Sequence, residues 1–200
     1  MKRCIALLCF PLAAASCQAT VTFSTFGPDN SALSFGYGFG DILDTRIANQ
    51  FTSSHTGSLD FIKLRTQASA GNGIISLYRD SGDDIGGLMA QFTVDLTTAG
   101  VKTLTNTDPS IQLVSGEKYW IECSSAVGSG VYSGWLRNNQ SINGRIKFGQ
   151  INASPSSTYT AGSGALSAFS VNVTPVPEPF TLAAMGMFSA LVARRRLKAR

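Results

Sequence analysis

The chain has 200 residues, 44% of them hydrophobic and only 14% charged, which excludes both a disordered polymer and a charged coiled coil. Its formal charge of +4 is concentrated at the ends: between Thr20 and Pro175 there are 9 basic and 11 acidic residues. The body therefore lacks the basic face that nucleic-acid binding requires, and no nucleic-acid partner is expected.

Residues 1–19 read as a secretory signal peptide. Lys2 and Arg3 form a basic start, Ile5 to Ala15 an apolar stretch too short to span a bilayer, and small residues come next. Cleavage is expected after Ala19, so that Thr20 begins the mature chain; lipoprotein processing at Cys17 is the alternative. Of the four cysteines, Cys4, Cys9 and Cys17 then leave with the signal. The remaining Cys123 cannot form an internal disulfide, so the body must be held by its core.

Residues 20–175 are expected to form one all-β domain. Apolar and polar residues alternate with period two in many short runs, as in Phe169, Val171 and Val173 against Ser170, Asn172 and Thr174. The pattern predicts strands near 20–26, 46–52, 58–67, 73–80, 88–96, 101–105, 110–114, 118–124, 131–137, 143–149 and 166–173. Turn signals such as Gly71-Asn72-Gly73, Asp108-Pro109 and Ser115-Gly116 separate them. Short strands at this spacing point to a two-sheet β-sandwich or jelly roll, with a closed barrel as the alternative. Gly36-Tyr37-Gly38-Phe39-Gly40 lacks dinucleotide-binding spacing and reads as a flexible or twisted loop.

Few residues offer chemistry. His55 is the only histidine and falls in a turn, Ser53 to Gly57, with no nucleophile elbow anywhere. The eleven acids show no spacing that selects a catalytic pair. The expectation is a protein that is not an enzyme and has no cofactor. Asp80, Asp83 and Asp84 could offer oxygen ligands to calcium, but their spacing is not that of an EF-hand, and the favoured reading is a polar hairpin tip with no metal. Tyr132, Trp135, Arg137, Asn138 and Asn139, with Gln140, combine aromatic rings and planar polar groups, which is the equipment for holding a sugar. The competing reading makes Trp135 a core residue, and Trp120 beside Tyr119 is read as core.

The tail, residues 176–200, has three parts. Val176-Pro177-Glu178-Pro179 separates the body from the rest of the tail. The apolar run Phe180 to Ala193 would make a helix about 21 Å long, outside the fold and short of the ~30 Å hydrocarbon core. Arg194, Arg195 and Arg196 then open a basic cluster expected to stay cytoplasmic.

This order of parts resembles the PEP-CTERM sorting signal of exopolysaccharide-producing Gram-negative bacteria, a tail also called the ice-binding-protein C-terminal domain. The resemblance implies recognition of Pro177, Glu178 and Pro179 by an exosortase. It further implies a transient inner-membrane anchor and delivery of the body to the cell surface or extracellular matrix. Retention as a plain membrane anchor is the alternative. Residues 48–135 also resemble choice-of-anchor domains. That resemblance is carried by Asn49-Gln50-Phe51-Thr52, Leu59 to Leu64, Ile75 to Asp80, Gly86-Gly87-Leu88 and Gly116-Glu117-Lys118-Tyr119-Trp120. It implies a β-sandwich without an assigned biochemical role. The expected function is that of a secreted, non-enzymatic envelope or matrix protein that meets the secretion machinery, the exosortase and extracellular polysaccharide. A carbohydrate-binding module is the first alternative, and a matrix polysaccharide hydrolase the second.

Overall fold

A computed structural model describes residues 18–151 and 159–175. Residues 1–17, the Pro177-Glu178-Pro179 motif, the apolar run and Arg194 to Arg196 lie outside the described residues.

Thirteen strands are described: β1 (Thr20–Ser24), β2 (Gly36–Phe39), β3 (Arg46–Thr52), β4 (Gly57–Thr66), β5 (Asn72–Asp80), β6 (Ile85–Asp95), β7 (Gly100–Thr105), β8 (Gln112–Leu113), β9 (Lys118–Ser125), β10 (Ser133–Leu136), β11 (Asn143–Gly149), β12 (Thr160–Ala165) and β13 (Phe169–Pro175). One sheet runs β1-β13-β4-β10-β2, with β7 and β8 also paired to β4. The other runs β12-β11-β3-β9-β5-β6. Every named pairing is antiparallel. The fold is an all-β sandwich of two packed sheets.

The period-two alternation is what closes it. On β9, Tyr119, Ile121 and Cys123 point into the core, while Trp120, Glu122 and Ser124 take the opposite face. On β5, Ile75 and Leu77 face the core between the outward Ile74, Ser76 and Tyr78. The two inner faces meet at an aromatic cluster. The Phe169 ring lies 5.2 Å from Phe23, 5.5 Å from Trp135 and 6.0 Å from Phe51. Cys123 is buried among these apolar residues, and burial pushes its thiol pKa well up, so it is an inert core group.

All eleven expected strand regions contain strands, and two more are present. The Gly36–Gly40 segment, expected as a loop, supplies edge strand β2, paired with β10 from Gly36↔Leu136 to Phe39↔Ser133. Its glycines permit the approach: a Cβ on Gly36 would stand 2.1 Å from the Trp135 carbonyl oxygen. The second is β12, Thr-Ala-Gly-Ser-Gly-Ala, whose register with β11 carries no apolar alternation.

The register also orients the body. Thr20 pairs with Val173, Gly57 with Pro175, and Thr52 with Lys118. The start of β1 and the end of β13 therefore lie together at one end of the sandwich. The first residues of β3 and the last of β9 lie at the other end, where Ile47 pairs with Cys123.

Candidate functional site

The outward face of the β3-β9-β5-β6 sheet is not a bare solvated surface. Trp120 points outward yet is fully buried. The turn joining β5 to β6 folds over it, and Asp80 Oδ1 accepts hydrogen bonds from Trp120 Nε1 and from Gln50 Nε2, both at 2.7 Å. Asp80 Oδ2 accepts from the Asp83 backbone N–H at 2.9 Å, closing the turn on itself. Asp83 bridges Lys118 at 2.7 Å and Arg145 at 3.0 Å. Asp84 pairs with Lys147, whose ammonium also stands 5.1 Å from the centroid of the Trp120 ring. The Lys118 and Gln50 hydrogen bonds hold the Asp83 carboxyl below its usual pKa, and the Lys147 bond does the same for Asp84.

These contacts decide what the acidic turn is. Lysine, arginine, indole and amide donors already occupy the carboxylates proposed as calcium ligands. No group of three or more His, Cys, Asp or Glu among the described residues could hold a metal ion. The turn is a clasp that ties β5 and β6 to β3, β9 and β11 through residues 30 to 63 positions away.

The aromatic and amide cluster comes apart in the same way. Trp135 is 0% exposed, packs on Phe169 and donates Nε1 to the Ala168 carbonyl at 3.1 Å. Its ring presents no face to a ligand, because on β10 it points into the core while its neighbours do not. Tyr132 is 54% exposed. Arg137 lies over the rings of Phe35 and Tyr37. Asn138 is buried and ties its own loop, donating Nδ2 to the Leu166 and Ile142 carbonyls and accepting at Oδ1 from the Gln140 and Ile142 N–H groups. Asn139 is exposed, bonded to Ser31 and Gln140. The sugar platform expected from Trp135 and its neighbours is therefore not assembled. His55 is exposed in its turn, its Nδ1 2.8 Å from Ser54 Oγ. Ala19 is exposed, and Thr20 opens β1.

A different constellation is present. Toward the end of the outer face away from Thr20 and Pro175, the sheet holds a recess of about 310 Å³. Its lining includes Arg46, Ser76, Tyr78, Gln91, Glu122 and Ser124, with Ile74, Val127 and Ile151 as apolar wall. Register explains the grouping: Ser76 pairs with Glu122 across β5-β9 and with Gln91 across β5-β6, while Ile74 pairs with Ser124. Ala48 opposite Glu122 is too small to fill the space.

Glu122 is 3% exposed. Desolvation raises its pKa, opposed by hydrogen bonds from Tyr159, Tyr78 and Ser124 and by the nearby Arg46 charge. Tyr159 Oη donates to Glu122 Oε2, and the Arg46 guanidinium stacks 4.6 Å from the Tyr159 ring centroid. Burial and the adjacent carboxylate raise the pKa of both tyrosines, keeping them protonated hydroxyl donors.

No protein-family model and no curated protein matches this sequence. The site must therefore be read from its own chemistry. A buried carboxyl with a raised pKa in a cleft marks a candidate functional site. Among the described residues, Glu122 is the one carboxylate lining the recess. What the arrangement offers is a dense set of hydroxyl, amide and carboxyl partners beside an apolar wall. One signal for it was present in the sequence. An outward row of Trp120, Glu122 and Ser124 is unlike a solvated strand face, because a tryptophan there requires cover.

Proposed function

We propose that this chain is an exported protein of the cell envelope or exopolysaccharide matrix of a Gram-negative bacterium. An exosortase sorts it at Pro177-Glu178-Pro179, and it works by contact with polysaccharide rather than by catalysis. The observation that carries the reading is the three-part tail, Val176 to Arg200, standing behind a β-sandwich and paired with a signal-like start at residues 1–19. One structural fact supports it. Thr20 in β1 and Pro175 in β13 lie at the same end of the sandwich, so both targeting segments would join the body there, and the recess lies toward the other end. Within this proposal the body is of the choice-of-anchor kind.

Expression of the full-length chain in an exosortase-bearing host, with intact-mass measurement of surface-released protein, tests the proposal. The expected mass corresponds to a chain starting near Thr20 and ending close to Pro177. Recovery of the chain from the membrane fraction with Phe180 to Arg200 retained would overturn the sorting step.

A further inference from the structure

We propose that the Glu122 recess is a binding site for one uncharged sugar residue, held by Ser76, Tyr78, Gln91, Glu122 and Ser124. This inference rests on the polysaccharide-contact reading above and gives it a location and a ligand class.

Size comes first. A recess of about 310 Å³ lies at the small end of ligand sites, which matches a single pyranose ring rather than a nucleotide or a peptide. Hydrogen-bonding capacity comes second. A sugar presents hydroxyls around a ring, each both donor and acceptor, and so needs partners of both kinds. Ser76, Ser124 and Tyr78 carry hydroxyls that can do either, the Gln91 amide offers one of each, and Glu122 supplies acceptor oxygens. Gln91 Nε2 and Ser76 Oγ are 3.3 Å apart, so two of these groups already stand in register on neighbouring strands. Third, Ile74, Val127 and Ile151 form an apolar side against which the CH face of a ring can rest. Val127 is 67% exposed, so part of this wall is solvent-facing and is covered when a ligand enters.

Charge selects against ionised ligands. An anionic group placed here would meet Glu122, and the Arg46 guanidinium that also lines the recess is already stacked on the Tyr159 ring and set beside that carboxyl. A cationic ligand would find a carboxyl already engaged by the Tyr159 hydroxyl and set beside the Arg46 charge. The uncharged, hydroxyl-rich ligand remains. Position agrees: Ile74 and Ser124 lie toward the sandwich end away from Thr20 and Pro175, so a body tethered through either segment would present the recess away from its tether.

Saturation-transfer NMR on the purified full-length protein, in detergent if it is recovered from membranes, tests the site. The probes are methyl glucoside, methyl galactoside and methyl mannoside, with methyl glucuronide as the anionic comparator. At least one neutral glycoside should bind with a Kd on the order of millimolar, as a single ring in an open recess does. Gln91→Ala, on the exposed face of β6, should weaken binding at least about tenfold at unchanged melting temperature; Ser124→Val should weaken it by a similar factor, with a lower melting temperature because it also removes a hydrogen bond to the buried Glu122. Gln112→Ala, an exposed glutamine on the opposite sheet, should leave binding unchanged. Absence of transfer from all three neutral glycosides would overturn the proposal. So would preference for the glucuronide, or binding indifferent to both Gln91→Ala and Ser124→Val. Sorting is read separately by intact mass: an unprocessed chain that binds sugar would refute sorting and keep the site, and a processed chain that binds none would do the reverse.

Discussion

Replacing Asp80 by alanine tests whether the β5–β6 turn is a clasp over Trp120. Asp80 accepts three hydrogen bonds, from the Trp120 indole, the Gln50 amide and the Asp83 backbone. The losses are unequal. Gln50 Nε2 keeps Asp83 Oδ1 at 3.2 Å, and the Asp83 N–H sits at a turn that water can reach. Trp120 is fully buried, so its N–H would be left without a partner. A stranded buried donor costs about 1–3 kcal/mol, and each lost bond to a charged acceptor adds about 1.5–3 kcal/mol before rehydration offsets it. Asp80→Ala is therefore expected to destabilise by about 3 kcal/mol, which for a chain of this length lowers Tm by about 6–12 °C. Asp80→Asn keeps an acceptor oxygen for the indole and should cost about 1 kcal/mol. Thermal and urea melts provide the magnitudes, and exchange of the Trp120 indole proton reports the local opening. A melt of Asp80→Ala within about 2 °C of wild type, or Asn as damaging as Ala, would refute the reasoning.

Three further outcomes are expected from the same structure. Because the folded-state pKa of Glu122 is raised, its contribution to stability is complete below the ordinary glutamate value and is lost as pH rises through the folded-state value. Glu122→Gln should therefore remove a decline of up to about 1.4 kcal/mol per pH unit, measured by urea melts between pH 4 and 8. An unchanged pH slope would contradict a raised pKa there. Trp135→Ala should destabilise by about 3–5 kcal/mol, as expected for an excavated core ring and not for a surface platform, with the loss read by urea denaturation. Asp41 accepts from Ser129 Oγ and from the Gly130 and Val131 N–H groups, at 2.8, 3.0 and 2.8 Å. Asp41→Ala should speed amide exchange at Gly130 and Val131 while leaving exchange in β4 and β13 unaltered.

Much of the scaffold was legible because sandwich strands carry a local signature. Runs such as Arg46–Thr52, Gly57–Thr66 and Lys118–Ser125 alternate because one face must enter the core, and that requirement is written residue by residue. β2 escaped because the glycines between its alternating aromatics read as loop residues, and β12 because Thr-Ala-Gly-Ser-Gly-Ala carries no apolar alternation. What makes β2 a strand is the close approach of its backbone to β10, which is a property of the partner. The candidate sites divide along the same line. Trp135 and its polar neighbours are adjacent in sequence, yet alternation along β10 turns the tryptophan inward and the group never forms a platform. Asp80, Asp83 and Asp84 look like an ion-binding turn until Lys118, Arg145 and Lys147 arrive from β9 and β11.

The sequence by itself determined the all-β class and the inner faces of most strands, since each depends on local composition and period. Only the tertiary structure decided which polar face is covered and which residues share a recess. Arg46, Ser76, Gln91, Glu122 and Ser124 meet through strand register across β3, β5, β6 and β9, and register is set by which sheets pack and how they pair.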